Sequence, residues 1–153
     1  MPHALAFAAI ALFAVLSLIT GPAMAIGSDD ESSDTAFAGD YEQAEAAIEV
    51  GDFATALPIL TAITLAEPQN ADAWNLLGFS ARKTGDLEAA AIAYARALTI
   101  NPDHLGALEY QGEMFLQIGR PEAARANLET LQGLCGACEE AGDLQQAIAD
   151  AGV

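Results

Sequence analysis

The feature that most constrains this sequence is an interval of thirty-four residues, at which the same types of residue recur. Glycines, alanines, large apolar residues and prolines each keep this interval independently, and their agreement on one period indicates an internal repeat. The positions are Gly51, Gly85 and Gly119; Ala56, Ala90 and Ala124; Leu60, Tyr94 and Leu128; and Pro68, Pro102 and, in the third equivalent place, Gly136. Such a chain is expected to stack similar units in a row rather than to wrap one closed core.

Each period is predicted to contain two helices. In the middle period Asn70 is a suitable N-cap for a helix over 71–84, and Gly85 can end that helix in a left-handed conformation. Asp86 then caps a second helix over 87–100, which an asparagine–proline pair stops. The neighbouring periods repeat this plan with helices over about 37–50, 53–66, 105–118 and 121–133. An aromatic content of only 7% also favours helices over a sheet.

The apolar residues of the middle period fall on one face of each helix. On the first helix they follow the spacing of a buried stripe, at Trp74, Leu77, Gly78 and Ala81. On the second helix the equivalent stripe contains Ala90 and Tyr94. We expect Trp74 and Tyr94 to fill the wider gaps between helices, and Gly78 and Ala90 to let two helix backbones approach closely.

These residues resemble the tetratricopeptide repeat family. The family's pattern has Trp, Leu and Gly on the first helix, then Ala, an aromatic residue, Ala and a final Pro, and the middle period carries it at Trp74, Leu77, Gly78, Ala90, Tyr94, Ala97 and Pro102. The resemblance covers residues 37–138. It implies an all-α fold, a short right-handed superhelical solenoid of three antiparallel helix pairs over 37–70, 71–104 and 105–138.

The segment 139–153 is predicted to form a C-terminal capping helix. Leu144, Ala147 and Ile148 fall on one of its faces, and the last unit of a stacked array needs a cover for its apolar end. Two glutamates, Glu139 and Glu140, would stand favourably in the first turn of this helix.

The first 25 residues are predicted to form a secretory signal peptide that is cleaved after Ala25. Residues 4–19 carry no charge, and the small residues Ala23 and Ala25 provide a cleavage site. The apolar stretch is shorter than the about 20 residues of a membrane span. We therefore expect export to a bacterial periplasm or an equivalent space, an acidic disordered leader over 26–36, and no membrane span after cleavage. A retained signal that anchors the chain is the alternative.

The charge of the chain restricts its partners. Twenty-two acidic residues against five basic ones give a net charge of −17, which repels the phosphates of nucleic acids and anionic membrane surfaces. Two interpretations stay open: attraction of a basic protein partner, or a surface whose self-repulsion keeps the protein soluble.

Cys135 and Cys138 form the one motif with reactive potential. Covalent haem attachment needs a histidine after the second cysteine, where Glu139 stands, and zinc needs about four ligands. The two remaining interpretations are a structural disulfide in an oxidising compartment and a redox-active pair. We favour the structural disulfide because the acidic neighbours Glu139 and Glu140 oppose thiolate formation. A thiol–disulfide or metal-handling protein is the alternative function.

The sequence predicts no catalytic residue, no metal site and no cofactor. His104 is the single histidine after the signal, and its place between two repeats fits a helix cap or a surface residue better than a catalytic base. The carboxylates are spread along helices, and no glycine-rich phosphate loop occurs.

The family resemblance implies a concave groove lined by the first helix of each repeat. The groove residues that it implies are Tyr41 and Glu45, then Asn75, Phe79, Arg82 and Lys83, then Glu109 and Glu113. Aromatic rings flanked by acids suit an extended segment with a cationic side chain and an apolar anchor. The functional hypothesis is therefore a non-enzymatic adaptor that binds a protein or peptide partner in the cell envelope.

Overall fold

A computed structural model of the protein describes residues 32–153, which form seven α-helices and contain no strand. The all-α fold is the predicted one. In chain order the helices are α1 (Ser32–Glu49), α2 (Phe53–Ala66), α3 (Ala71–Thr84), α4 (Leu87–Ile100), α5 (Leu105–Gln117), α6 (Pro121–Cys135) and α7 (Glu139–Asp150).

The ends of α3 and α4 are the predicted ones, and they are fixed by local hydrogen bonds. The backbone N–H of Ala73 donates to Asn70 Oδ1 over 3.0 Å, and that of Ala89 donates to Asp86 Oδ1 over 3.0 Å. Gly85 ends α3 with a φ of 90°, in the left-handed region that residues with a Cβ rarely adopt. Hydrogen bonds and a backbone conformation within a few residues of the helix ends therefore set these boundaries.

The N-terminal boundary differs from the prediction. Helix α1 begins at Ser32, so the last residues of the predicted disordered leader are helical. The predicted signal peptide over 1–25, its cleavage after Ala25 and the start of the leader lie outside the described residues.

The helices stack in sequence order, and small residues set the closest approaches. A Cβ on Gly78 would lie 2.7 Å from two ring carbons of Tyr94, a side chain that is 0% exposed. One period later, a Cβ on Gly112 of α5 would lie 2.6 Å from the side chain of Leu144 of α7, so these two helices also pack closely. Tyr94 thus fills a gap between helices as predicted, whereas Gly78 makes room for the Tyr94 ring rather than for a second helix backbone. The helix pairs form the expected solenoid.

Trp74 does not take its predicted place in the core. Its side chain is only partly buried, and its indole Nε1 donates to the carbonyl oxygen of Pro68 over 3.2 Å, at the junction before α3. The residues of α3 that are more deeply buried include Ala73, Gly78 and Ala81.

Helix α7 covers the C-terminal end of the array, as predicted. It packs against α5 and α6, and it buries Ala141, Leu144 and Ile148 against Leu108 and Leu131. Among the helices of residues 32–153, none is long and apolar enough to cross a membrane.

Candidate functional site

Neighbouring helices bring predicted groove residues from two repeats together. Phe79 and Arg82 on α3 meet Tyr110 and Glu113 on α5, since Phe79 and Glu113 are one period apart and so occupy equivalent places on adjacent helices. Arg82 Nη2 lies 2.6 Å from Glu113 Oε2. The side chain of Arg82 is 3% exposed and that of Glu113 is 26% exposed, so this ion pair is largely shielded from water. Although the two atoms are close, the N–H of Arg82 Nη2 does not point at a hydrogen-bond acceptor, so the contact is an ion pair without a hydrogen bond.

Aromatic rings surround this ion pair. The ring centroid of Phe79 lies 4.8 Å from that of Tyr110 and 5.9 Å from that of Phe53. The Arg82 guanidinium carbon lies 5.6 Å from the Phe79 ring centre and 5.8 Å from that of Tyr110, and Lys83 Nζ lies 5.1 Å from the Phe79 ring centre. The cation–π contacts expected for a partner's cation are therefore already made by the protein's own cations.

Two further predicted residues, Asn75 and Glu109, are buried beside this cluster. Asn75 is 6% exposed, and its Oδ1 finds no hydrogen-bond partner within the described part of the chain. Glu109 is 7% exposed. Burial raises the pKa of Glu109 to about 8, the carboxylates of Glu113, Asp143 and Glu140 raise it as well, and Arg82 opposes them. Glu109 is therefore mostly protonated at neutral pH.

Asn75 and Glu109 line a cavity of about 290 Å³ between α3, α5 and α7, which we call the α7 cavity. Six of its lining residues were absent from the predicted site, namely Leu76, Gly106, Tyr110, Glu139, Glu140 and Asp143. The repeat could have predicted one of them: Asp143 lies thirty-four residues after Glu109, which itself lies thirty-four residues after Asn75. The groove therefore continues onto the capping helix.

Tyr41 and Glu45 lie at the other end of the array. They line a separate cavity of about 460 Å³ with other acidic residues, among them Asp72 of α3. Burial raises the pKa of the Tyr41 hydroxyl to about 12, and the carboxylates of Asp72 and Glu45 add to that effect. The predicted groove residues thus fall into two groups, one at each end.

His104 is a helix cap. It precedes α5, its Nδ1 accepts a hydrogen bond of 3.2 Å from the backbone N–H of Ala107, and its Nε2 lies 3.0 Å from Asp72 Oδ1. Within residues 32–153, no three side chains of the His, Cys, Asp and Glu types come together as a metal site would require.

The structure joins Cys135 and Cys138 in a disulfide between α6 and α7. Cys138 is the residue that precedes the first turn of α7, so the bridge ties the start of the capping helix to the end of α6. The oxidation state of the pair in the protein's own compartment stays a prediction.

Sequence comparison finds two similarities. Residues 41–104 match the family model described as tetratricopeptide repeat. A human protein, General transcription factor 3C polypeptide 3, is 31% identical over 106 residues, which are 69% of this chain and 12% of that protein. The chain therefore spans a small part of this relative's length.

Solved structures share the fold. They include the chaperone SycD of Yersinia enterocolitica, a type III secretion translocator chaperone, with a TM-score of 0.69, 20% identity, and coverage of 80% of this chain and 92% of that one. The CopN–Scc3 complex matches with a TM-score of 0.65 and 18% identity, over 78% and 71% of the two chains. MamA from Desulfovibrio magneticus RS-1, resolved from residue 41, matches with a TM-score of 0.62 and 22% identity, over 67% and 58%. At these identities the likeness establishes the fold alone.

Proposed function

Because the chain is a tetratricopeptide repeat protein, we propose that it is a non-enzymatic adaptor that holds a protein or peptide partner in the groove formed by its first helices. Two of the structures with the same fold are a chaperone of secreted translocators and a two-protein complex, which supports protein binding as a use of this architecture.

The observation that carries the proposal is the fixed aromatic surface around Arg82. Phe79 and Tyr110 are partly exposed, and their rings are held by contact with each other and with the buried guanidinium. Aromatic residues that are already immobilised lose little conformational entropy on binding, and such residues dominate the energetics of protein interfaces. A partner that places an apolar side chain on these rings would gain most of its affinity there.

The charge of the chain favours basic side chains elsewhere in the partner segment. A net charge of −17 and acidic residues at both ends of the groove favour a segment that carries basic side chains beside its apolar anchor. Association with such a partner should weaken as salt is added, since screening acts mainly on exposed charges.

We also propose that the adaptor acts outside the cytoplasm, after cleavage of its signal peptide. The apolar stretch over 4–19 and the small residues before Ile26 support this proposal. The mass of the protein isolated from its native host tests it, because cleavage after Ala25 would remove 25 residues, whereas a retained signal anchor would leave them in place.

The alternative function, disulfide exchange by Cys135 and Cys138, gains no specific support. Although a cysteine before a helix is favoured as a thiolate, Glu139 and Glu140 follow Cys138 directly and disfavour a further negative charge.

The groove is tested by capture of the partner with wild-type protein and with the Phe79→Ala variant. Removal of a central aromatic contact in an interface costs about 2 kcal/mol or more, which is about thirtyfold in affinity. We expect a loss of partner of that order for Phe79→Ala, with the helical circular dichroism of the variant unchanged.

Ile92→Ala is the matched control. Ile92 is an exposed apolar side chain on α4 that takes no part in the aromatic cluster. Full retention of the partner by Phe79→Ala, or an equal loss with Ile92→Ala, would refute the groove.

A further inference from the structure

The α7 cavity has the size of a site for one side chain. Its volume of about 290 Å³ is at the lower end of the range of roughly 300–1,000 Å³ that small-molecule sites occupy. Tyr110 lines the cavity and also contacts Phe79, so an extended segment that rests on the aromatic rings could also reach it.

The most buried polar residues of the cavity include an acceptor, Asn75 Oδ1, that lacks a donor. Asn75 Oδ1 is buried and has no hydrogen-bond partner in the described residues, although buried polar groups in folded proteins are almost always paired. An amide oxygen only accepts hydrogen bonds, so the missing partner must be a donor. The carboxyl group of Glu109, equally buried, lies in the same cavity.

The more exposed part of the cavity adds negative charge. Glu139, Glu140 and Asp143 stand in the first turns of α7, and the residues that line the cavity include no lysine, arginine or histidine. Negative charges that line one cavity attract a cation into it.

The protein's nearest cations are engaged elsewhere. Arg82 is paired with Glu113 and lies near the rings of both Phe79 and Tyr110, and Lys83 lies over the Phe79 ring. A metal ion fits poorly, because no three potential metal-binding side chains converge anywhere in the part of the chain that the structure describes. The acceptors come from three different helices, which suits a group with several donors pointing in different directions.

We propose that the α7 cavity binds the ammonium group of a lysine side chain of the partner. Asn75 on α3, Glu109 on α5 and Asp143 on α7 would each accept one of its three N–H donors, and Glu139 and Glu140 would attract it from the rim. This inference rests on the proposed function, because it names the side chain that the partner places beside the aromatic rings.

The test uses a short probe rather than the partner. The peptide acetyl-Gly-Gly-Lys-Gly-Gly-amide is titrated into ¹⁵N-labelled protein at pH 7 and low salt, beside a peptide in which norleucine replaces lysine. We expect saturable shifts of the amide signals of residues 75, 109 and 143 with the lysine peptide and none with the norleucine peptide. Equal shifts with both peptides, or shifts confined to other residues, would overturn the proposal.

Variants of the α7 carboxylates identify the charges that matter. Asp143→Asn with Glu140→Gln should weaken binding of the lysine peptide at least tenfold, since both changes remove a charge from the cavity without removing volume. Glu129→Gln, on the exposed surface of α6, removes one charge elsewhere and should leave the affinity within twofold. An equal loss in both proteins would show attraction by the overall charge alone and would overturn the site. Tighter binding of the arginine analogue, or displacement of the lysine peptide by micromolar Ca²⁺, would also overturn it.

The two proposals fail separately. If the lysine peptide binds as described while Phe79→Ala captures the partner as well as wild type does, the cavity stands and the groove is refuted. If the partner is lost with Phe79→Ala while the lysine peptide leaves residues 75, 109 and 143 unmoved, the groove stands and the lysine site is refuted.

Discussion

The contact between Gly78 and Tyr94 allows a sharp test of how the repeats pack. A methyl group at position 78 would lie 2.7 Å from two carbons of the Tyr94 ring and 3.1 Å from a third, well inside van der Waals contact. The ring is 0% exposed and rigid, so it has no empty space into which it could turn. The helices must move apart instead.

The size of the effect follows from two opposing terms. Overfilling a packed core typically costs about 1–3 kcal/mol, whereas replacing glycine by alanine inside a helix gains up to about 1 kcal/mol from helix propensity. Gly133→Ala makes the same replacement in α6, where the new methyl group would meet nothing within 4 Å, so it keeps only the gain. We therefore expect Gly78→Ala to be less stable than Gly133→Ala by about 1–3 kcal/mol.

Urea unfolding followed by circular dichroism at 222 nm measures this difference. A second pair of proteins isolates the contact: in a Tyr94→Leu background, the Gly78→Ala change should lose its cost, because the ring that it meets is gone. Equal stability of the two alanine variants, or an unchanged cost in the Tyr94→Leu background, would refute the close approach.

Two further predictions concern α7 and its surroundings. Because the folded protein raises the pKa of Glu109 from 4.5 to about 8, the folded state holds the proton that the unfolded state releases, so stability should fall as pH rises from about 4.5 to about 8. Urea midpoints at pH 5 and pH 8 should show a smaller fall for Glu109→Gln than for wild type, and an equal fall would contradict the burial of this carboxyl group. Reduction of the Cys135–Cys138 bridge should cost about 2 kcal/mol, the entropy of closing a four-residue loop, and an unchanged thermal midpoint after reduction would remove its structural role.

Much of the fold could be predicted because its signals are local or periodic. The caps Asn70 and Asp86 and the left-handed Gly85 act within a few residues of their helix ends, so the sequence alone locates those ends. The repeat interval then gives the number and order of the helix pairs, since each period holds the same two helices.

The rest of the site depended on contacts that no spacing specifies. The ion pair between Arg82 and Glu113 needs side-chain directions, and the burial of Glu109 depends on how closely α7 approaches α5. The repeat interval does relate Asp143 to Glu109. We predicted α7 only as a cap, however, so its residues were not expected in the groove. Trp74 matched the family pattern, yet it lies half-buried at a repeat junction because its indole N–H bonds the backbone there.

Helix α7 has two roles in the structure: it covers apolar residues and it lines the α7 cavity. The side of the helix with Leu144 and Ile148 covers apolar residues of α5 and α6, and its first turns supply three carboxylates to the α7 cavity. Another repeat added behind α7 would need a new apolar surface on this helix. A chain shortened by its twelve residues would expose Leu131 and lose three of the eight residues that line the cavity. The cover of the apolar end and the acidic wall of the cavity thus depend on one short helix, so a change that displaces this helix affects both.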